Sequence, residues 1–213
     1  MRYYMLNKPS GVVTAVTDSK SKTVMDCFPE DIRPGLFPIG RLDKDTEGLL
    51  LITDDGDFAF RMLRPEFGVA KRYFFRAFGE ISEGKIKKLE TGGNLYGNGE
   101  KARPSFLSDI NLSTVEHDAA YISESERAHA LKNPFGKTFS AFITVTEGKR
   151  HEVKLLLKSI GCKVFYLKRF SMGKFMLDPM LKPGEFREFT PEEISFAEDY
   201  RKIFIDLTKK QQA

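Results

Sequence analysis

An α+β architecture built on a mixed, largely antiparallel sheet flanked by helices is predicted by three features of this chain. Six segments read as strands from period-two patterning or from runs of apolar, β-branched and aromatic residues, only four stretches read as helices, and the two kinds do not alternate regularly along the sequence. Regular βαβ alternation would point to a doubly wound parallel sheet, and its absence sets that class aside.

Tyr3–Leu6 and Val12–Val16 open the chain as strands, and Leu49–Thr53 is a short apolar run that suits a buried strand. Asp54-Asp55-Gly56 makes a turn and caps the next helix, Asp57 to Leu63, which Pro65 stops. Arg72–Phe78 is the fourth strand. A helix over Glu83–Thr91 has Ser82 as its cap and Gly92-Gly93 as its end, and the connection that follows, as far as Gly99, is rich in turn formers. The segment from about Glu116 to Lys137 reads as an insertion or mobile loop, and no chemistry is assigned to it. Phe139–Thr146 and Lys163–Leu167 are the last strands, rich in β-branched and aromatic residues, and the helix His151–Ile160 between them ends at Gly161. Thr190-Pro191-Glu192-Glu193 combines a capping box with proline at the first helical position, so a final helix should run from Pro191 to about Leu207.

With 213 residues and 41% apolar content the chain can bury a substantial core, as a single domain over residues 1–213 whose two lobes share one sheet. Two cysteines, Cys27 and Cys162, are too few for a disulfide framework and suit a reducing compartment, so the cytoplasm is the expected location. No signal-peptide core or membrane-spanning run is evident, and a monomer is expected. The net charge is only +4, but it is unevenly distributed. Residues 149–174 hold Lys149, Arg150, Lys154, Lys158, Lys163, Lys168, Arg169 and Lys174 against the single acid Glu152, a local charge of +7. Such a run is either a solvated basic face or a phosphate-contacting surface.

His117, His129, His151 and the two cysteines show none of the usual metal-ligand spacings, so no metal is expected. A strand-to-helix G-x-S-x-G turn is absent, as is a phosphate loop ending in Gly-Lys-Ser/Thr, which leaves no motif for a nucleotide cofactor. Asp43 stands apart from the other acids. Gly40 permits a turn, Leu42 can plug into the core, and Thr46 and Gly48 lead into the strand Leu49–Thr53, so its carboxylate sits on a short, anchored loop. Arg41 lies two places before it. That placement suits covalent or electrostatic catalysis by a fixed carboxylate, whereas an isolated loop aspartate would more simply make an Asx-turn.

The stretch Gly40-Arg41-Leu42-Asp43-Lys44-Asp45-Thr46-Glu47-Gly48-Leu49-Leu50-Leu51-Ile52-Thr53-Asp54-Asp55-Gly56 resembles the signature of the RsuA-like pseudouridine synthases, which isomerise uridines in ribosomal RNA. Lys71-Arg72-Tyr73 resembles the family's K-x-Y element, and Glu147 to Lys154 resembles its E-G-[RK]-x-[HR]-Q-[VI]-[RK] element, with Glu152 where glutamine is usual. Leu6–Val12 and Leu181–Arg187 extend the likeness over nearly the whole chain. Many relatives carry an N-terminal S4-type RNA-binding module, whereas here the synthase motifs begin at once.

The resemblance implies the pseudouridine synthase fold with a central active-site cleft, no cofactor, and ribosomal RNA or an assembly intermediate as partner. It implies that Asp43 is the catalytic carboxylate, that Tyr73 stacks on the target base, and that Lys154 pairs with Asp43. Arg41, Lys8, Lys149 and Arg150 are the expected RNA contacts, and Leu42 and Val153 the expected lining of the base pocket. A target base inside structured RNA must be flipped out to be reached. Small-subunit ribosomal RNA is the expected substrate. The alternatives are a large-subunit enzyme and a non-catalytic RNA-binding protein of ribosome assembly, with a two-carboxylate sugar hydrolase using Asp43 and Asp45 as a weaker third.

Overall fold

The computed structural model describes residues 1–93, 100–124 and 137–211, with side chains as far as Arg201. In chain order its strands are β1 (Tyr3–Lys8), β2 (Phe37–Pro38), β3 (Glu47–Thr53), β4 (Lys71–Phe78), β5 (Phe106–Thr114), β6 (Lys137–Val145), β7 (Lys163–Met172), β8 (Phe175–Met176) and β9 (Phe186–Glu188). Its α-helices are α1 (Gly56–Leu63), α2 (Glu83–Thr91), α3 (Glu152–Ser159) and α4 (Pro191–Gln211). Two units emerge, one formed by Met1–Val69 with Arg169–Ala213 and the other by Ala70–Lys168.

In the first unit the strand order is β7-β3-β1-β9, with β2 beside β3 and β8 beside β7. β1 and β3 run antiparallel from Tyr3↔Thr53 to Lys8↔Gly48, and β9 extends the sheet through Tyr4↔Glu188. Leu49, Leu50, Leu51 and Ile52 are all fully buried, which explains why this strand is continuously apolar: side chains on both of its faces are covered. One face packs Met5, Leu49 and Leu51 against Phe58 and Met62 of α1, Phe175, Phe189 and Ala197. Asp55 caps α1 through Phe58 N–H at 3.1 Å, as its position before the helix predicts. The capping box at α4 also forms: Thr190 N–H donates to Glu193 Oε2 at 2.8 Å and Glu193 N–H to Thr190 Oγ1 at 3.3 Å.

In the second unit the order is β5-β6-β4-β7, and β4 pairs with β6 in antiparallel register from Lys71↔Val145 to Phe78↔Thr138. Lys71, Tyr73, Phe75 and Ala77 are buried on one face while Arg72, Phe74 and Arg76 are half-buried on the other. This is the period-two pattern that predicts the strand. Asp118 is fully buried, accepts a hydrogen bond from Thr138 Oγ1 at 2.5 Å and pairs with the Arg76 guanidinium. The segment read as a mobile loop is therefore anchored over its first residues, while 125–136 lie outside the described residues.

Three other expectations need correction. Val12–Val16 does not form a strand; it contributes one parallel bridge, Val13↔Thr23, because the chain turns back on itself, with Ala15 N–H donating to Val13 O at 3.1 Å. β5 has no counterpart in the predicted elements. Its residues are largely exposed and a bulge between Ser108 and Asn111, with Asp109 at φ 53°, breaks the alternation that would reveal it. α3 starts after His151, which takes a left-handed conformation at φ 56° and stands as the cap.

Candidate active site

Asp43 lies in the first unit on a loop whose backbone is gripped from two sides. On one side Thr14 Oγ1 donates to Leu42 O at 2.8 Å and accepts from Leu42 N–H at 3.2 Å. On the other, the fully buried Lys8 ammonium donates to Pro9 O at 2.9 Å, Thr46 O at 2.8 Å and Lys44 O at 3.3 Å. Lys44 O also accepts from Gly11 N–H at 2.8 Å, and Thr46 N–H closes the turn on Asp43 O at 3.1 Å. Leu42 is buried, anchoring the loop in the core, while the Asp43 side chain is half-buried and Arg41 exposed. The outcome is a carboxylate on a rigid backbone at the surface of its unit, which is what precise attack on a bound substrate demands.

Lys8 was expected at phosphates, and the structure corrects that: its side chain is inside, spent on three carbonyls. Burial lowers its pKa to about 8, opposed by the negative charges of Asp45 and Glu47 and, more weakly, Asp43. Burial in turn pushes the Cys27 thiol up, consistent with a structural and not a nucleophilic cysteine.

Gly40 opens the loop at φ 77°, and a Cβ there would lie 2.8 Å from Leu63 Cδ2. Gly40→Ala is therefore expected to destabilise the protein by about 2 kcal/mol, from the left-handed backbone and the displaced leucine together. A thermal melt should show a midpoint lowered by about 5 °C.

The second unit carries Tyr73, Lys149, Arg150, Val153 and Lys154. Tyr73 is buried to 9% exposure on the face of β4 that also carries Lys71, two residues earlier. The Lys71 ammonium, itself buried, donates to Glu147 O at 2.7 Å. The Glu147 carboxylate in turn accepts from Arg103 N–H at 2.9 Å and pairs with Lys149 at 3.4 Å. Strand β4 is thus tied to the loop that launches α3, on which Val153 is buried and Lys154 half-buried. Sequence reasoning missed Thr14, Lys71 and Glu147 as supports; Lys71 and Glu147 stood inside the quoted motifs but had no assigned task.

Lys149, expected at RNA, is engaged within its own unit with Glu147, with Glu100 at 3.3 Å and with Lys101 O at 3.0 Å. Arg150 is exposed, as an RNA contact requires. The basic run 149–174 is not one surface: Arg169 is 2% exposed and donates through Nε to Leu49 O at 2.8 Å, so it serves the sheet. Among the described residues no group of three or more His, Cys, Asp or Glu side chains could hold a metal ion. No helix there is long and apolar enough to cross a membrane.

Residues 2–159 match the family model described as RNA pseudouridylate synthase. The uncharacterized RNA pseudouridine synthase YtzG of Bacillus subtilis is 44% identical over 193 residues, which cover 90% of this chain and 71% of that protein. The ribosomal small subunit pseudouridine synthase A of Escherichia coli is 30% identical over 194 residues, 91% of this chain and 73% of that one. A crystal structure of a pseudouridylate synthase superposes with a TM-score of 0.75 at 28% identity, covering 92% of this chain and 73% of the other.

Proposed function

This chain belongs to the RNA pseudouridylate synthase family and is an isomerase that converts uridine to pseudouridine in RNA, and from that premise we propose that its substrate is small-subunit ribosomal RNA and that Asp43 is its reacting carboxylate. The substrate reading is supported by the relatives named as small-subunit enzymes, at 30–32% identity across nine-tenths of the chain. The observation that carries the residue reading is the anchoring of Asp43. Thr14 and Lys8 immobilise the backbone around it through Leu42, Lys44 and Thr46.

The isomerisation breaks the bond between N1 of uracil and C1′ of the ribose, turns the base and forms a bond from C5 to C1′. The proton leaves C5 and N1 gains one, so the composition is unchanged and no oxidant or energy source is consumed. In this reading the Asp43 carboxylate attacks or stabilises C1′, as the nucleophile of a retaining glycosidase does. The uridine is flipped from its helix to reach it. On the resemblance of their motifs, Tyr73 is assigned the ring on which the extruded base stacks, Lys154 a cationic role, and Leu42 and Val153 apolar contacts to the base. Arg41 and Arg150, both exposed, hold the nucleotide and the strand.

The test is to incubate the protein with unmodified small-subunit and large-subunit ribosomal RNA and to map pseudouridine in each. A single modified uridine in the small-subunit RNA is expected, and the same uridine should lack modification in cells without the protein. Modification confined to large-subunit RNA would overturn the substrate assignment. Modification of neither, as free RNA or as an assembly intermediate, would overturn the assignment to ribosomal RNA. Binding should also weaken steeply with added salt, because phosphate contacts release counterions, while the single-turnover rate on saturating RNA should not.

A further inference from the structure

We infer that the outer end of α1 is a stacking platform for an unpaired nucleotide of the substrate strand beside the target uridine, formed by the Phe60 ring and the Arg64 guanidinium; this rests on the RNA-modifying role given to Asp43. α1 buries Phe58, Ala59, Arg61 and Met62 and turns Phe60 and Leu63 outward, each 39% exposed. The Arg64 guanidinium carbon lies 4.5 Å from the Phe60 ring centroid, and that of Arg61 lies 4.0 Å from the Phe67 centroid. The two rings are themselves 6.5 Å apart at an interplanar angle of 63°. Two rings and two guanidiniums therefore form one connected array. Its inner members, Arg61 and Phe67, are buried or half-buried, and its outer members, Phe60 and Arg64, are exposed.

The position of this array links it to Asp43. Leu63 Cδ2 lies where a Cβ on Gly40 would meet it at 2.8 Å, so the end of α1 abuts the residue that opens the Asp43 loop. Arg41, next in the chain, is exposed. The segment Phe60–Gly68 has two arginines against one acid, Glu66, and Arg41 adds a third cation. A partly exposed aromatic ring beside guanidiniums is the chemistry that holds single-stranded RNA: bases stack on rings and guanidinium planes whatever their identity, and the cations take phosphates. Contact with the Asp43 loop selects RNA as the occupant over a protein partner, since a strand delivering its uridine to Asp43 passes this edge of the same unit.

Phe60→Leu and Arg64→Gln test this with a probe that does not depend on knowing the target, a ten-nucleotide oligouridylate followed by fluorescence anisotropy. Phe60→Leu keeps an apolar side chain on a helix and removes the π-face, so Kd should rise roughly ten-fold with an unchanged salt slope. Phe60→Trp should restore or tighten binding. Arg64→Gln should weaken binding and reduce the magnitude of the log Kd against log salt slope by about one. Thermal melts accompany each variant. A Phe60→Leu protein with a lowered melting temperature and wild-type affinity would mean that the array serves only the fold, and would overturn the proposal. So would a wild-type protein that does not bind the probe. A wild-type protein that binds it through Phe60 and Arg64 but modifies no small-subunit RNA would support the platform while the substrate reading fails.

Discussion

Asp43→Asn should leave the protein folded and able to bind RNA while lowering pseudouridine formation by at least about 10⁴-fold, the scale of loss when an essential catalytic group is removed. That ratio corresponds to about 5.5 kcal/mol of lost transition-state stabilisation. An amide of the same shape is neutral and a poor nucleophile, so it can neither form a bond to C1′ nor balance positive charge developing on the sugar. The loop itself should survive the change. Its turn is closed by the Asp43 carbonyl and its flanks by Thr14 and Lys8, all acting on backbone atoms that the substitution leaves in place. Asp45→Asn serves as the comparison, because it removes an exposed carboxylate from the same turn and should change the rate no more than about three-fold. Single-turnover assays on saturating RNA give both rates. An Asp43→Asn protein within ten-fold of wild type would remove Asp43 from the reaction, whatever its RNA affinity.

Much of the scaffold around this residue was legible because its physics is local. Leu49–Thr53 reads as a buried strand from its own composition, Asp55 as a cap from its place before Gly56, and Thr190 with Glu193 as a capping box from spacing alone. β5 was not legible, because an exposed edge strand with a bulge carries no alternation to read. Val12–Val16 misled in the opposite sense. Its β-branched composition is real, but the Thr14 hydroxyl is drawn to Leu42, twenty-eight positions along the chain, and no local pattern encodes that partner. Arg169 and Lys8 misled for a shared reason. A basic residue in a basic or motif-rich stretch reads as surface charge, and only the folded chain reveals backbone carbonyls waiting inside for it. The catalytic candidates were read from motif resemblance. The groups that hold them, Thr14, Lys8, Lys71 and Glu147, became visible only through their hydrogen bonds.

Lys8→Met is expected to be the most destabilising of these substitutions, by about 3 kcal/mol. Methionine fills most of the volume, so the cost is polar. Lys44 O keeps its bond from Gly11 N–H, but Pro9 O and Thr46 O each lose the donor they have in the ammonium. An orphaned buried acceptor costs about 1–3 kcal/mol, and part of that total is returned because a charge no longer has to be buried. Against a total stability of about 5–15 kcal/mol the remainder is large, and urea unfolding should show a clearly lowered midpoint. The pH dependence has a definite sign. Lys8 titrates at about 8 in the folded protein and near 10.5 when unfolded. Below pH 8 it is charged in both states and folding bears the full cost of burying the ammonium. Between pH 8 and 10.5 the folded state gives up the proton while the unfolded state retains it, so wild-type stability gains from this group as pH rises. The gap between wild type and Lys8→Met should therefore be wider at pH 9.5 than at pH 7; a gap that narrows, or is absent at pH 7, would refute the assignment. Because the two carbonyls Lys8 holds beyond its own neighbour belong to Lys44 and Thr46, one and three residues after Asp43, the variant should also lose activity at temperatures where it remains folded. A carboxylate displaced by about 1 Å forfeits about a hundred-fold in rate, and that loss, scaled with loop position and not with the fraction unfolded, is what separates a strut of the active-site loop from a lysine that merely fills the core.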